Sequence, residues 1–389
     1  MLVALVARMG AVWAIGSGFH FPDEAIYLDT ARRLSAGGGF GVEYEQVPGY
    51  PVLLMLLSLG LSEQLPFIRA AQAVVAAFGT LLVFWLADRM FGQRAAIAAG
   101  LVYALDPLLV ITSALLYPEA SAAVLLTAIV LIAVGAAERD AVARSALAGA
   151  LLGLLVLLRP VALVLPPIVG GWIAVTAATR LARKAAHLGA LCLTLVLVLA
   201  PWTARNYRIH GRLVPPATAG IQAAPVTGEE VAEGGLVVSI GRWAWRHPAA
   251  LLSRVTRQFA QFWELMPTRM ATDDPVKRER LHERDSRLPV RPLFSRRLRD
   301  LVSAGTFSLE LILALVGVVV VGRTKRGYTL LLLGVIIAFA VGYAIFVAKL
   351  RYRIPILPLV FLFSGAGAAT AYQFIRRAAD RRGRRPGRS

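Results

Sequence analysis

Apolar residues gather into ten runs along the chain, at about 2–19, 66–87, 96–114, 120–137, 145–158, 160–177, 187–202, 303–322, 328–347 and 354–375. A helix needs about 20 apolar residues to cross roughly 30 Å of hydrocarbon, so this spacing predicts a stack of membrane spans. The fifth run is short, and Arg159-Pro160 separates it from the sixth. Proline disfavours helix in the residue before it, which makes this a tight reversal at the membrane surface. Ten spans put both termini on one side. The expected fold is an all-α polytopic membrane protein of about ten transmembrane helices, with interfacial helices in its first outside loop.

Charge in the short loops orients the stack. One side carries Asp88 to Arg94, Glu138 to Arg144, Arg180 to Lys184, Arg323 to Arg326 and the arginine tail. Basic loops stay cytoplasmic, so both termini are expected there. The other side carries Glu119, Arg159 and the cluster Lys349, Arg351 and Arg353. The first run lacks a basic flank and a small-residue exit, so it reads as a retained span rather than a cleaved leader.

Two outside segments are long. In the first, 20–65, Ala25, Leu28, Ala31 and Leu34 recur at helical spacing until Gly37-Gly38-Gly39, which predicts a helix lying on the interface. Val52 to Leu61 is apolar but too short to span, so it is interfacial or re-entrant. In the second, 203–302, Leu251, Val255, Phe259 and Phe262 form one helical stripe near Trp243, Trp245 and Trp263, as suits headgroup depth. From about 267 to 300 the segment is dense in charge. The chain thus divides into a module at 1–202, an outside region at 203–302, a three-span module at 303–375 and a basic tail at 376–389. No internal repeat is visible, unlike transporters built from two related halves.

Composition narrows the class. The 389 residues are 57% hydrophobic and 17% charged, beyond what one soluble core could hide. The net charge of +19 belongs to loops and tail rather than to any nucleic-acid module, so lipid headgroups and not nucleic acid are the expected partners. Cys192 is the only cysteine and the five histidines are scattered, which excludes a disulfide framework and a thiolate metal site.

Three carboxylates then stand out, because the threading puts Asp23, Glu24 and Glu119 at the outer face. Pro22-Asp23-Glu24 precedes a helix, so Asp23 could serve as an N-cap and Glu24 as a first-turn acid. The same face holds Arg159, Arg205, Lys349, Arg351 and Arg353. These cations suit headgroup anchoring, or they suit chemistry. A sugar on a lipid phosphate has an anionic leaving group that arginine and lysine stabilise, and a carboxylate can take the proton of an attacking hydroxyl.

Several motifs resemble those of the C-type polytopic glycosyltransferases that use polyprenyl-phosphate sugars, in the branch of protein O-mannosyltransferases and lipid A aminoarabinose transferases. They are Phe21-Pro22-Asp23-Glu24-Ala25-Ile26-Tyr27, Pro48-Gly49-Tyr50-Pro51, Ala104-Leu105-Asp106-Pro107, Tyr117-Pro118-Glu119, Leu158-Arg159-Pro160, Pro201-Trp202-Thr203-Ala204-Arg205-Asn206-Tyr207 with Gly211 and Pro215, and Arg351-Tyr352-Arg353-Ile354-Pro355. The resemblance implies a GT-C fold and inverting sugar transfer to a glycan, lipid or protein hydroxyl on the outer face of a bacterial inner membrane. It implies Asp23 as base, Glu24 as its supporting neighbour orienting the acceptor or a divalent metal, and Glu119 as the second acid of the cavity. Arg351 and Arg353 match positions that contact the donor phosphate, while Lys349, Arg159 and Arg205 join them by location. Tyr27, Tyr50, Tyr117 and Tyr352 would line the cavity. Residues 216–222 follow the family pattern only loosely, and the extra acceptor-binding domain of some members is missing, which leaves the acceptor open. A lipid-linked sugar flippase and a non-catalytic scaffold are the competing expectations.

Overall fold

The computed structural model describes residues 1–41, 46–58, 64–211, 236–266, 279–280, 282–283, 285–288 and 295–383. Every element among them is helical. In chain order these are α1 (Leu2–Ile15), α2 (Pro22–Ser35), α3 (Gly49–Ser58), α4 (Leu65–Phe91), α5 (Gln93–Leu105), α6 (Pro107–Ala114), α7 (Pro118–Glu138), α8 (Val142–Leu158), a 3₁₀ turn (Pro160–Val164), α9 (Leu165–Thr176), α10 (Leu181–His210), α11 (Leu236–Arg246), α12 (Pro248–Phe262), α13 (Arg296–Thr324), α14 (Arg326–Ile345), a second 3₁₀ turn (Leu350–Ile356) and α15 (Leu357–Gly383).

All ten apolar runs are helical. Among the described residues six helices, α4, α7, α10, α13, α14 and α15 with its leading turn, are long and apolar enough to cross a membrane, and α5 and α6 form an apolar pair bent by 50° that counts as a seventh if the two make one span. The runs at 2–19, 145–158 and 160–177 become helices of 10–17 residues, short of a full crossing by length alone. Large apolar side chains such as Trp13, Trp85, Val175, Val196 and Val319 stay exposed around the bundle, as lipid-facing positions do.

Close contacts between helices rely on small residues. A Cβ on Gly317 of α13 would stand 2.0 Å from the Phe363 carbonyl oxygen of α15, and one on Gly367 2.0 Å from that of Leu313, so these two helices touch backbone to backbone. Gly49 opens α3 against the end of α8, where a Cβ would lie 2.5 Å from the Leu157 carbonyl oxygen. The short apolar segment is therefore a helix packed against the end of α8.

Charge inside the bundle is spent on helix ends. Pro107 cannot continue α5, and Asp106 caps the new helix by accepting from the Leu109 N–H at 2.7 Å. The orphaned carbonyls of Tyr103 and Ala104 accept from the guanidinium of Arg8, fully buried on α1, at 3.1 and 3.2 Å. At the end of the bundle away from Asp23, Arg89 and the Tyr328 hydroxyl both bond Glu138. There too Asp140 accepts from Arg183 and bonds His187, whose other ring nitrogen meets Ser145. The His187 hydrogen bond holds the Asp140 carboxyl below its usual range.

The helical stripe of the second outside segment becomes α12, but it does not lie free on the interface. It packs on α14, with Phe262 fully buried and stacked 6.2 Å from Tyr343. Pro215, residues 216–222, much of 267–300 and the end of the basic tail lie outside the described residues.

Candidate functional site

Two helices start the same way at one end of the bundle. Pro22 and Pro118 each occupy the first helical position, which proline's fixed φ suits. The N-caps are thus Phe21 and Tyr117, and Asp23 and Glu119 both fall one residue past the proline. The expectation that Asp23 caps its helix is overturned by this register. Capping falls to Glu24, whose Oε1 accepts from the backbone N–H groups of Phe21 and His20 at 3.1 and 2.8 Å.

Glu24 is then wholly committed. Its Oε2 accepts from Arg69 at 2.8 Å and from the Leu116 N–H at 3.1 Å, and neither Glu24 nor Arg69 is exposed. Arg69 also donates to the carbonyls of Gly16 and Gly18 at 2.5 and 2.9 Å. One buried ion pair thereby ties α1, α2, α4 and the entry to α7 together. Tyr50 belongs to the same frame: its hydroxyl donates to Gln72 at 2.5 Å, and Gln72 donates to the carbonyls of Ser113 and Leu115.

Asp23 points elsewhere, into a charged cluster. Arg351 donates to its Oδ2 at 2.8 Å while the Arg351 Nε lies 3.4 Å from Glu119. Arg159 also pairs with Glu119, which is fully buried. Aromatic rings floor the cluster. The Arg351 guanidinium sits 4.4 Å from the Tyr117 ring, and Arg351, Arg159 and Lys349 lie 5.5, 5.4 and 5.9 Å from that of Tyr352. Tyr352 stacks in turn on Tyr343 at 4.5 Å. Tyr27 crosses Tyr50 edge-on at 4.9 Å, and burial pushes its phenol up to about 12, so it remains a neutral donor beside these charges. Three cations against two carboxylates leave the cluster one formal positive charge.

Two expected members are absent from it. Arg353 is buried, donates to the Glu264 carbonyl at 2.6 Å and stands 3.6 Å over the Phe307 ring. The reason is the 3₁₀ turn: at three residues per turn, positions 351 and 353 point about 120° apart. Arg205 lies over Trp202 at 4.4 Å and donates to the Gly41 carbonyl, midway along the first loop.

Among the described residues no group of three or more His, Cys, Asp or Glu side chains could hold a metal ion. Glu24 has no oxygen left for an ion shared with Asp23, and Arg351 already bridges Asp23 and Glu119.

Arg8, Arg69 and Gln72 were not singled out from the sequence, although each is a polar residue inside an apolar run. That signal marks residues with a partner in the bundle.

Residues 45–203, less than half of the chain, match the family model described as dolichyl-phosphate-mannose-protein mannosyltransferase. No curated protein matches. Among solved structures, the oligosaccharyltransferase AglB of Archaeoglobus fulgidus in complex with an inhibitory peptide and a dolichol-phosphate aligns with a TM-score of 0.55 at 13% identity, over 100% of this chain and 52% of that one. Its apo form gives 0.57 at 13% identity, over 97% and 51%. ArnT of Cupriavidus metallidurans bound to undecaprenyl phosphate gives 0.54 at 19% identity, over 97% and 62%. The chain thus spans between half and two thirds of the length of these structures. It is a polytopic membrane protein of the GT-C fold, as its motifs indicated. The family match takes in Tyr50, Glu119 and Arg159 but neither Asp23 nor Arg351.

Proposed function

We propose that this chain is a glycosyltransferase that moves a sugar from a polyprenyl-phosphate carrier to an acceptor hydroxyl at the outer face of the membrane. The observation that carries the proposal is Arg351, which pairs with Asp23 across 328 positions of sequence and lies against Glu119 as well. A carboxylate and a surplus of positive charge meet there, as the reaction requires. The family match and the GT-C neighbours support the same reading. Nothing in the fold or the comparisons supports a flippase.

Arg351, Arg159 and Lys349 hold the donor phosphate, whose charge the cluster's excess cation balances. Asp23, displaced from Arg351 by that phosphate, accepts the proton of the incoming hydroxyl. The hydroxyl oxygen forms its bond to the anomeric carbon as the carbon–oxygen bond to phosphate breaks. The electron pair leaves with the phosphate, so no general acid is needed, and a single displacement inverts the anomeric centre. Glu119 keeps Arg159 and Arg351 oriented, and Glu24 holds the start of α2 from behind. The acceptor is a glycan, lipid or protein hydroxyl. The protein resides in a bacterial inner membrane with both termini cytoplasmic.

The test is transfer of radiolabelled sugar from polyprenyl phosphate. Asp23→Asn keeps the shape of the side chain but removes the base, so transfer falls by about 10²–10⁴-fold. Full activity in Asp23→Asn, with the protein present and folded in the membrane, would remove Asp23 from the mechanism.

A further inference from the structure

Arg351 sits at the start of the 3₁₀ turn that leads into α15. It follows a non-helical strap, residues 346–349, between the end of α14 and the second 3₁₀ turn. A strap of this kind leaves the last carbonyls of α14 and its own N–H groups without helical partners. Both needs are met from outside, by α12.

Arg254 on α12 donates its Nε to the Ile345 carbonyl at 3.0 Å and its Nη2 to the Phe346 carbonyl at 2.6 Å. One turn later, Gln258 Oε1 accepts from the Ala348 N–H at 2.8 Å. The two residues are four apart and so share one helix face. A second line of contact runs beside them. Phe262 of α12 stacks on Tyr343 at 6.2 Å, Tyr343 on Tyr352 at 4.5 Å, and Tyr352 lies under the Arg351 guanidinium. Just past α12, the Glu264 carbonyl accepts from Arg353 at 2.6 Å. The outside helix therefore grips the segment carrying Arg351 at both ends and through its rings.

We propose that Arg254 and Gln258 are positioning residues for the donor phosphate: by fixing the strap 346–349 they set where the Arg351 guanidinium meets it. This rests on the reading of Arg351 as a phosphate ligand. Neither residue touches the charged cluster, and neither carries any of the motifs that identify the fold. Their action is purely geometric, because a displacement of about 1 Å can cost about 10²-fold in a site that depends on orientation.

The experiment measures binding of undecaprenyl phosphate to the purified full chain, with transfer kinetics alongside. Gln258→Leu removes the acceptor for the Ala348 N–H, and Arg254→Lys replaces a two-pronged donor by a single point. Each is expected to weaken undecaprenyl phosphate binding and raise the donor KM by roughly 10-fold, in keeping with misplacement of a fraction of an ångström, while the acceptor KM stays unchanged. Gln258→Glu, which keeps an oxygen facing the Ala348 N–H, restores binding. Arg351→Ala separates the two ideas. If Arg351→Ala loses binding while Gln258→Leu and Arg254→Lys bind as the native chain does, the positioning role is overturned and the donor site stands. If Arg351→Ala binds as tightly as the native chain, the donor site itself is wrong. Equal losses in Gln258→Leu and Gln258→Glu also overturn the inference, because the carboxylate retains the acceptor on which it depends.

Discussion

Arg69 and Glu24 meet with neither side chain exposed to solvent, and their removal one at a time is the sharpest stability test at the residue scale. Breaking a buried ion pair by deleting one partner leaves the other charge uncompensated and costs about 3–5 kcal/mol. Glu24→Gln and Arg69→Leu are each expected to lower the unfolding midpoint in detergent. The double variant should lose less than the two single losses combined, since no lone charge remains. Additive losses would mean that the two side chains act separately. The contrast with Asp23, one position earlier, is instructive. Among the described residues Asp23 accepts one side-chain hydrogen bond, from the Arg351 guanidinium. The acid that holds the frame and the acid that joins the charged cluster are adjacent in sequence and point apart because successive helical residues are turned by about 100°.

At the scale of elements, the broken third span depends on charges placed at helix ends. Asp106 starts α6, and Arg8 from another helix closes α5 by bonding the Tyr103 and Ala104 carbonyls. Arg8→Leu leaves those carbonyls without donors in a water-free interior, and each such loss costs about 1–3 kcal/mol. Thermal unfolding of the solubilised variant should register it, and an unchanged midpoint would show that the bend holds without Arg8. Elements also decide which cations reach the site. Arg351 and Arg353 differ only in phase around a 3₁₀ turn, yet one pairs with Asp23 and the other turns toward Phe307. The arginine cluster looked uniform as sequence because the turn's three-residue period was not visible there.

For the whole molecule, the alternation of spans gathers residues 23, 119, 159 and 351 at one end and the networks of Glu138 and Asp140 at the other. On the proposed orientation, with basic loops cytoplasmic, the charged cluster faces outward. A reporter fused after Ser389 is expected to be active only when it reads a cytoplasmic location. Activity of a periplasm-specific reporter at that point would reverse the orientation and put Asp23 on the wrong side for an external acceptor.

The amino-acid sequence by itself determined the class and the order of the helices. Hydropathy acts over a span's own length, and prolines and glycines stop helices locally, so the ten runs, the reversal at Arg159-Pro160 and the end of α2 at the glycines were all legible. The acids and bases of the charged cluster were legible too, because a charge beside a membrane span is conspicuous. Only the tertiary structure decided their partners. It gave Glu24 to Arg69, Asp23 to Arg351, Arg353 to the Glu264 carbonyl, and α12 to the strap beneath Arg351. Those pairings join segments many tens of residues apart. They depend on how helices of different tilt meet and on the phase of each turn, which no local pattern along the chain encodes.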